Sequence, residues 1–328
     1  PYGPCSSAFN SEYIAGGSSS GSAVSVSLQH VSFSIGTDTG GSGRIPAALN
    51  NIVGLKPTCG TLSSSGLVPC CPSIDCPSIF ALSVSDASHI ATIMHSTNVS
   101  DSTLRDQHEC VEFSAINSSS VVSILYPSGS DLEFFGNIEG QSIYLDFLES
   151  LRSKGFNFSS FDFSPLLEAG SLLFDGAFLA DRFSSVGSVL NSSNHPDVLA
   201  TTTSVVSKAA SISGSDVFSA LARLKEIKVH VKNLLSHNNI FIFPTVAPLY
   251  TVNEVLANPI DLNSNIGHYS YFANVLDLSA LSVPIGFYSN GMPFGITLMA
   301  LPFQDSLLSH FAQTVLNTDL HPLGKSRT

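Results

Sequence analysis

GGSSSGSAVSVSLQHVSFSIGTDTGGSGRIPAALNNIVGLKP, running from Gly16 to Pro57, holds two glycine-rich turns that decide how the chain is read. The first is Gly16-Gly17-Ser18-Ser19-Ser20-Gly21 and the second Gly36-Thr37-Asp38-Thr39-Gly40-Gly41-Ser42. With nine serines in the stretch, composition cannot say which one matters; position can. Glycine admits backbone angles closed to other residues and lets main-chain N–H groups approach a ligand. A serine directly after Gly40-Gly41 therefore sits among amides able to cradle an oxyanion. A short helix is expected from Arg44 to Leu49, with Pro46 early in it. Ser42 then lies near a helix N-terminus, where developing negative charge is favoured.

Outward from this stretch, mixed strands and helices without repeats indicate an α/β layered sheet. Helices are expected at Ser19–Gln29, Val84–Met94 (with Ser83 as cap), Ile138–Arg152, Leu166–Leu190, Val217–Leu235, Tyr271–Leu281 and Phe303–Asn317. Strands are expected at Val31–Ile35, Val121–Tyr126, Phe156–Phe161, Ile240–Phe243, Ser282–Tyr288 and Phe294–Ala300. Ser289-Asn290-Gly291 supplies a hairpin turn between the last two. Residues 1–15, Cys59–Pro77, 96–118 and 191–196 read as irregular or connecting.

The 328 residues suffice for one large or two modest domains, and 43% hydrophobic against 12% charged residues makes the chain globular rather than disordered. A net charge of −12 argues against nucleic acid or an anionic membrane as partner. No apolar run approaches the ~20 residues of a membrane span. Cys5, Cys59, Cys70, Cys71, Cys76 and Cys110 contain no C-x-x-C, and reduced thiols in a cytoplasmic protein are the expected state. Sequons at Asn98, Asn117, Asn157 and Asn191 carry little weight without a secretory signal. The ten histidines, His230 and His237 among them, show no metal-ligand spacing.

Ser42 has no histidine near it except His30, so a Ser-His-Asp set is not spelled out. The stretch resembles the amidase signature, whose enzymes use a serine nucleophile, a second serine in a cis peptide bond, and a lysine. The resemblance places Ser42 as nucleophile and Ser18 as the cis serine, with oxyanion-hole amides from Thr39, Gly40, Gly41 and Ser42. It implies a mixed β-sheet sandwiched between helices and one amidase domain over 1–328, with the N-terminal part missing. The lysine would lie upstream of Pro1, and Lys56 does not correspond to it. The chain thus reads as a truncated fragment, expected to show little activity by itself.

Nearly the whole chain resembles one branch of that family, the allophanate hydrolases, including the hydrolase part of fungal-type urea amidolyase. The similarity runs through Phe9–Gly21, Asn50–Thr58, Ser73–Cys76, Phe241–Thr245, Asn263–Tyr269 and Asn274–Leu278. It implies that Arg182 grips the carboxylate of allophanate, a role suited to a bidentate guanidinium. Phe174 stands where the branch has a tyrosine, which removes a hydroxyl donor. No metal or organic cofactor is implied. The resemblance leaves room for a homodimer and for a urea carboxylase partner or fusion.

Other readings stand beside these. Ser42 could be a helix-capping serine, and Asp181 and Arg182 solvated charges. Asp38 and Arg44 are expected to pair and brace the loop. Gly17-Ser18-Ser19-Ser20-Gly21 fits the G-x-S-x-G elbow, which would make Ser19 a nucleophile but needs a strand before it. The phosphate-loop motif fails for lack of its lysine. Rival functions are another amidase, an amidotransferase subunit acting on glutamine or asparagine amides, or an inactive truncated pseudoenzyme.

Overall fold

The computed structural model describes residues 2–96, 100–105, 113, 123–129, 131–191, 198–236, 238–315 and 323–325. Cys110, His237, the sequons at Asn98 and Asn117, and most of 96–118 and 191–196 lie outside them.

Eight strands form one sheet: β1 (Phe33–Asp38), β2 (Val53–Lys56), β3 (Cys76–Ala81), β4 (Ser123–Pro127), β5 (Asn157–Phe161), β6 (Ile240–Pro244), β7 (Ser279–Phe287) and β8 (Pro293–Ala300). Their spatial order is β1-β3-β2-β7-β8-β6-β4-β5. The sheet is mixed: β4 runs parallel to β5 and β6, and the other neighbours are antiparallel. Central strands β2, β6 and β8 are buried along their whole length, as strands covered on both faces must be.

Twelve α-helices accompany the sheet among the described residues. They are α1 (Ser20–Ser27), α2 (Arg44–Ala48), α3 (Val84–Met94), α4 (Ile138–Ser153), α5 (Ser164–Asp175), α6 (Ala177–Asn191), α7 (Ala200–Ser207), α8 (Gly214–Leu234), α9 (Val252–Ala257), α10 (Asp261–Gly267), α11 (Phe272–Val275) and α12 (Asp305–Val315). Strand periodicity shows how they layer. On β3, Phe80 packs with Ala23 and Val26 of α1 and Ala47 of α2. Its neighbours Ile79 and Ala81 join the main core, which includes Val84, Ala87 and Ala91 of α3. Alternate residues face opposite sides, so the sheet is sandwiched between helices. Helix α2 lies close on the sheet: a Cβ at Gly54 would stand 2.6 Å from the Ala47 Cβ, and one at Gly295 2.9 Å from that of Ala48.

Besides the strand expected at Val31–Ile35, which is β1 (Phe33–Asp38), three expectations needed correction. The single helix over Leu166–Leu190 is two, α5 and α6, separated at Gly176. The helix expected over Tyr271–Leu281 is the four-residue α11, and β7 has already begun at Ser279. Inside the supposed loop Cys59–Pro77, β3 starts at Cys76. The Asn-Gly turn does join β7 to β8, with Gly291 at φ +81°.

Candidate active site

β1 ends in Asp38, and the chain then turns through Thr39 to Gly43 into α2. Asp38 is fully buried and organises this turn. Its Oδ1 accepts the Gly41 amide at 2.8 Å and its Oδ2 the Gly43 amide at 3.1 Å. Arg44, also fully buried, returns a fork: Nε to Oδ2 at 2.9 Å and Nη2 to Oδ1 at 3.0 Å. Burial alone would raise the Asp38 pKa, but the Arg44 charge and hydrogen bonds overcome this and hold it below the usual carboxylate value. Asp38 and Arg44 therefore brace the turn, as the sequence led us to expect.

Gly41 adopts φ +117°, and a Cβ there would lie 2.6 Å from that of Ser270, so only glycine fits. Of the four amides expected to face an oxyanion, that of Gly41 is taken by Asp38. Among the described residues, those of Thr39, Gly40 and Ser42 have no hydrogen-bond acceptor.

The first turn enters from the other side. The Gly17–Ser18 peptide bond is cis, where the resemblance puts a cis serine. Ser19 and Ser20 are occupied: Ser19 Oγ donates to the Thr37 carbonyl at 3.1 Å and accepts its amide at 3.2 Å, and Ser20 Oγ donates to the Gly16 carbonyl at 2.5 Å. Residues before Gly16 make only isolated bridges. With no strand before it and its hydroxyl spent on β1, Ser19 does not form a nucleophile elbow.

Ser18 and Ser42 line the same cavity of about 570 Å³. Gly16, Gly17, Thr39, Gly40, Phe174 and Arg182 line it too, so the structure brings the expected residues together; Gly41 lies behind, against Ser270. Arg182, on α6, is placed by its neighbour: Asp181 Oδ2 accepts the Ser73 amide at 3.1 Å, the Ser73 hydroxyl at 2.7 Å and the Cys71 thiol at 3.1 Å. The Arg182 guanidinium carbon lies 4.8 Å from the centre of the Phe174 ring, a cation–π contact. Its Nε is buried and without a partner among the described residues.

Three further residues around the cavity were quoted in the sequence without a role. Asp75 ties two loops of the site together. Its Oδ1 accepts the Thr39 hydroxyl at 2.5 Å, and its Oδ2 the amides of Cys70 and Cys71 at 2.7 and 2.9 Å. Tyr271 and Asn263 form part of the wall, the Tyr271 hydroxyl donating to the Asn263 carbonyl at 2.7 Å. No group of three or more His, Cys, Asp or Glu able to hold a metal occurs among the described residues, and no described helix is long and apolar enough to cross a membrane.

A buried, braced glycine turn presenting a serine, a cis serine facing the same cavity and free amides between them define a class. The chain belongs to the amidase family, which it matches over residues 1–308. It is 37% identical over 313 residues to the urea amidolyase of Saccharomyces cerevisiae, covering 95% of this chain and 17% of that protein. The allophanate hydrolase of Kluyveromyces lactis superposes with a TM-score of 0.91 at 35% identity, over 99% of this chain and 53% of that one. The K. lactis urea amidolyase gives 0.90 at 35% identity, over 99% and 20%. The chain thus spans about half of the first structure and a fifth or less of the two longer relatives.

Proposed function

We propose that the protein carrying this chain hydrolyses allophanate to ammonia and carbon dioxide. The observation that carries the reading is the buried, unpartnered Arg182 Nε in a wall of the cavity that holds Ser42 and Ser18. A buried guanidinium nitrogen without an acceptor is costly, and a substrate carboxylate would satisfy it. The likeness to allophanate hydrolase at 35% identity supports the same substrate.

In this reading Ser42 Oγ attacks the terminal amide carbonyl of allophanate. The proton it loses passes to Ser18 and on to a lysine that the resemblance sets ahead of Pro1. The amides of Thr39, Gly40 and Ser42 receive the tetrahedral oxyanion, with Gly41 held back by Asp38. Ser18 returns a proton to the leaving ammonia, water releases the acyl group from Ser42 as N-carboxycarbamate, and loss of carbon dioxide from this species gives the second ammonia. Arg182 holds the carboxylate throughout, and the missing hydroxyl at Phe174 weakens that grip. Residues 1–328 act as one amidase domain, and a urea carboxylase, fused or separate, supplies the substrate. A cytoplasmic location belongs to the same reading and rests on the free thiols of Cys5, Cys59, Cys70, Cys71 and Cys76.

The test is ammonia release by the full protein from allophanate and from neutral amides. Allophanate should be preferred, and Ser42→Ala should abolish turnover. Equal use of neutral amides, unaffected by replacing Arg182, would redirect the reading to another amidase.

A further inference from the structure

A second cavity of about 560 Å³, which shares Thr37 and Cys70 with the first, is lined by Cys59, Gly60, Leu67, Pro72, Asp75 and Arg105 among others. Lys56, at the end of β2, is fully buried behind it. Its Nζ donates to the Pro57 carbonyl at 2.8 Å and contacts Cys59 Sγ at 3.5 Å. Among the described residues no carboxylate is within ion-pairing distance of this ammonium. The nearby Asp38 is already committed to Arg44. A buried cation needs an anion, and the sulfur of Cys59 is the group placed to be one. Cys76 lies next to this pair, its thiol donating to the Pro57 and Pro77 carbonyls at 3.3 and 3.4 Å.

We propose that Cys59 is a thiolate paired with Lys56 and a modification site for small electrophiles, hydroperoxides among them, that enter this second cavity. Cys59 is half-buried and opens on the cavity, whereas its partners Lys56 and Cys76 lie fully buried behind it. The neighbouring Cys76 lowers its pKa against the effect of burial, and the Lys56 charge adds to it, bringing it to about 6. Arg105 and Lys228 add positive charge from other elements, while Asp277 opposes and is itself paired to Arg105. Asp38 and Asp305 act on Lys56, and Asp38 also on Cys76. With hydrogen peroxide, the sulfur attacks one oxygen: an S–O bond forms and the O–O bond breaks. Sulfur gives up two electrons to become a sulfenic acid, and the departing hydroxide takes a proton from solvent.

The experiment is limiting alkylation of the full protein with iodoacetamide from pH 5 to 9, with each cysteine quantified by peptide mass spectrometry. Exposed Cys5 and Cys70 are the internal controls, since burial raises both of their pKa values. At pH 6 Cys59 should react about tenfold faster than an ordinary thiol, its larger thiolate fraction outweighing its lower basicity. Its rate should be half-maximal near pH 6. Peroxide followed by dimedone should label Cys59 and block its alkylation. Cys76→Ser, which keeps a hydroxyl in the core, should move the half-point by less than Lys56→Met. If Lys56→Met does not fold, the wild-type pH profile alone decides. A Cys59 rate that lags Cys5 and Cys70 at pH 6, or that rises only above pH 8, would overturn the proposal.

Discussion

Arg44 and Asp38 form a two-pronged ion pair with both side chains fully buried, and the same carboxylate fixes the amides of Gly41 and Gly43 on either side of Ser42. The charge is thus spent on shaping the serine turn. Removing one partner strands the other in the core. Asp38→Asn should cost about 3–5 kcal/mol of stability at pH 7, read from urea unfolding. An unchanged midpoint would contradict the bracing role.

That pair also sets an acid limit. Asp38 titrates lower in the folded than in the unfolded chain, so the unfolded state binds more protons between the two values. Its contribution is present in full above the unfolded pKa, about 3.9, and is lost as pH falls through the folded value. The stability gap between wild type and Asp38→Asn should therefore hold from pH 7 to 5 and narrow below pH 4. Urea midpoints measured at pH 7, 5 and 3 would show it.

Ser42→Ala should leave the thermal midpoint unchanged and lower ammonia release by at least about 10⁴-fold, the scale seen when a serine nucleophile is removed. A variant keeping a tenth of the activity would assign the attack to another group.

Arg182→Gln should raise KM for a carboxylate-bearing amide by about 10- to 100-fold, the worth of a charged hydrogen bond. It should leave neutral amides unaffected. Arg182→Lys should recover little, because an ammonium lacks the fork and the flat face set against Phe174. Restoring a hydroxyl with Phe174→Tyr should lower KM for the charged substrate.

Asp75→Asn keeps the shape but weakens the acceptor for Thr39, Cys70 and Cys71. It should lower kcat by about 10- to 100-fold with KM little changed, as loss of aim at the oxyanion would. A change in KM alone would place Asp75 in substrate binding instead.

Local chemistry made much of the fold legible. Ser83 reads as a cap, and its hydroxyl accepts the Asp86 amide at 3.0 Å at the head of α3. The Ile240–Phe243 run is the core of β6. What escaped was decided at a distance. β1 runs on to Asp38 rather than stopping at Ile35, because a buried Arg44 waits to pair with the last carboxylate. Helices α7, α9 and α10 are short and carry no clear apolar stripe, so periodicity gave no signal for them. At the site, the second glycine turn points to Ser42 by itself, whereas the resemblance picked Ser18 out from Ser19 and Ser20. Arg182 lies 140 positions from Ser42, and only resemblance could link the two. Asp75 gave no sign of its three hydrogen bonds.

Asn274 donates to the Asp38 carbonyl at 2.6 Å and to that of Ile74 at 3.0 Å, and its Oδ1 accepts from Arg44 at 3.3 Å. The clamp on the serine turn thus comes from 236 residues downstream. A ribosome making this chain at about 5–20 residues per second reaches Asn274 more than ten seconds after Asp38. Through that interval Asn274 is not yet there to hold the Asp38 and Ile74 carbonyls. The serine turn is made long before the residue that fastens it.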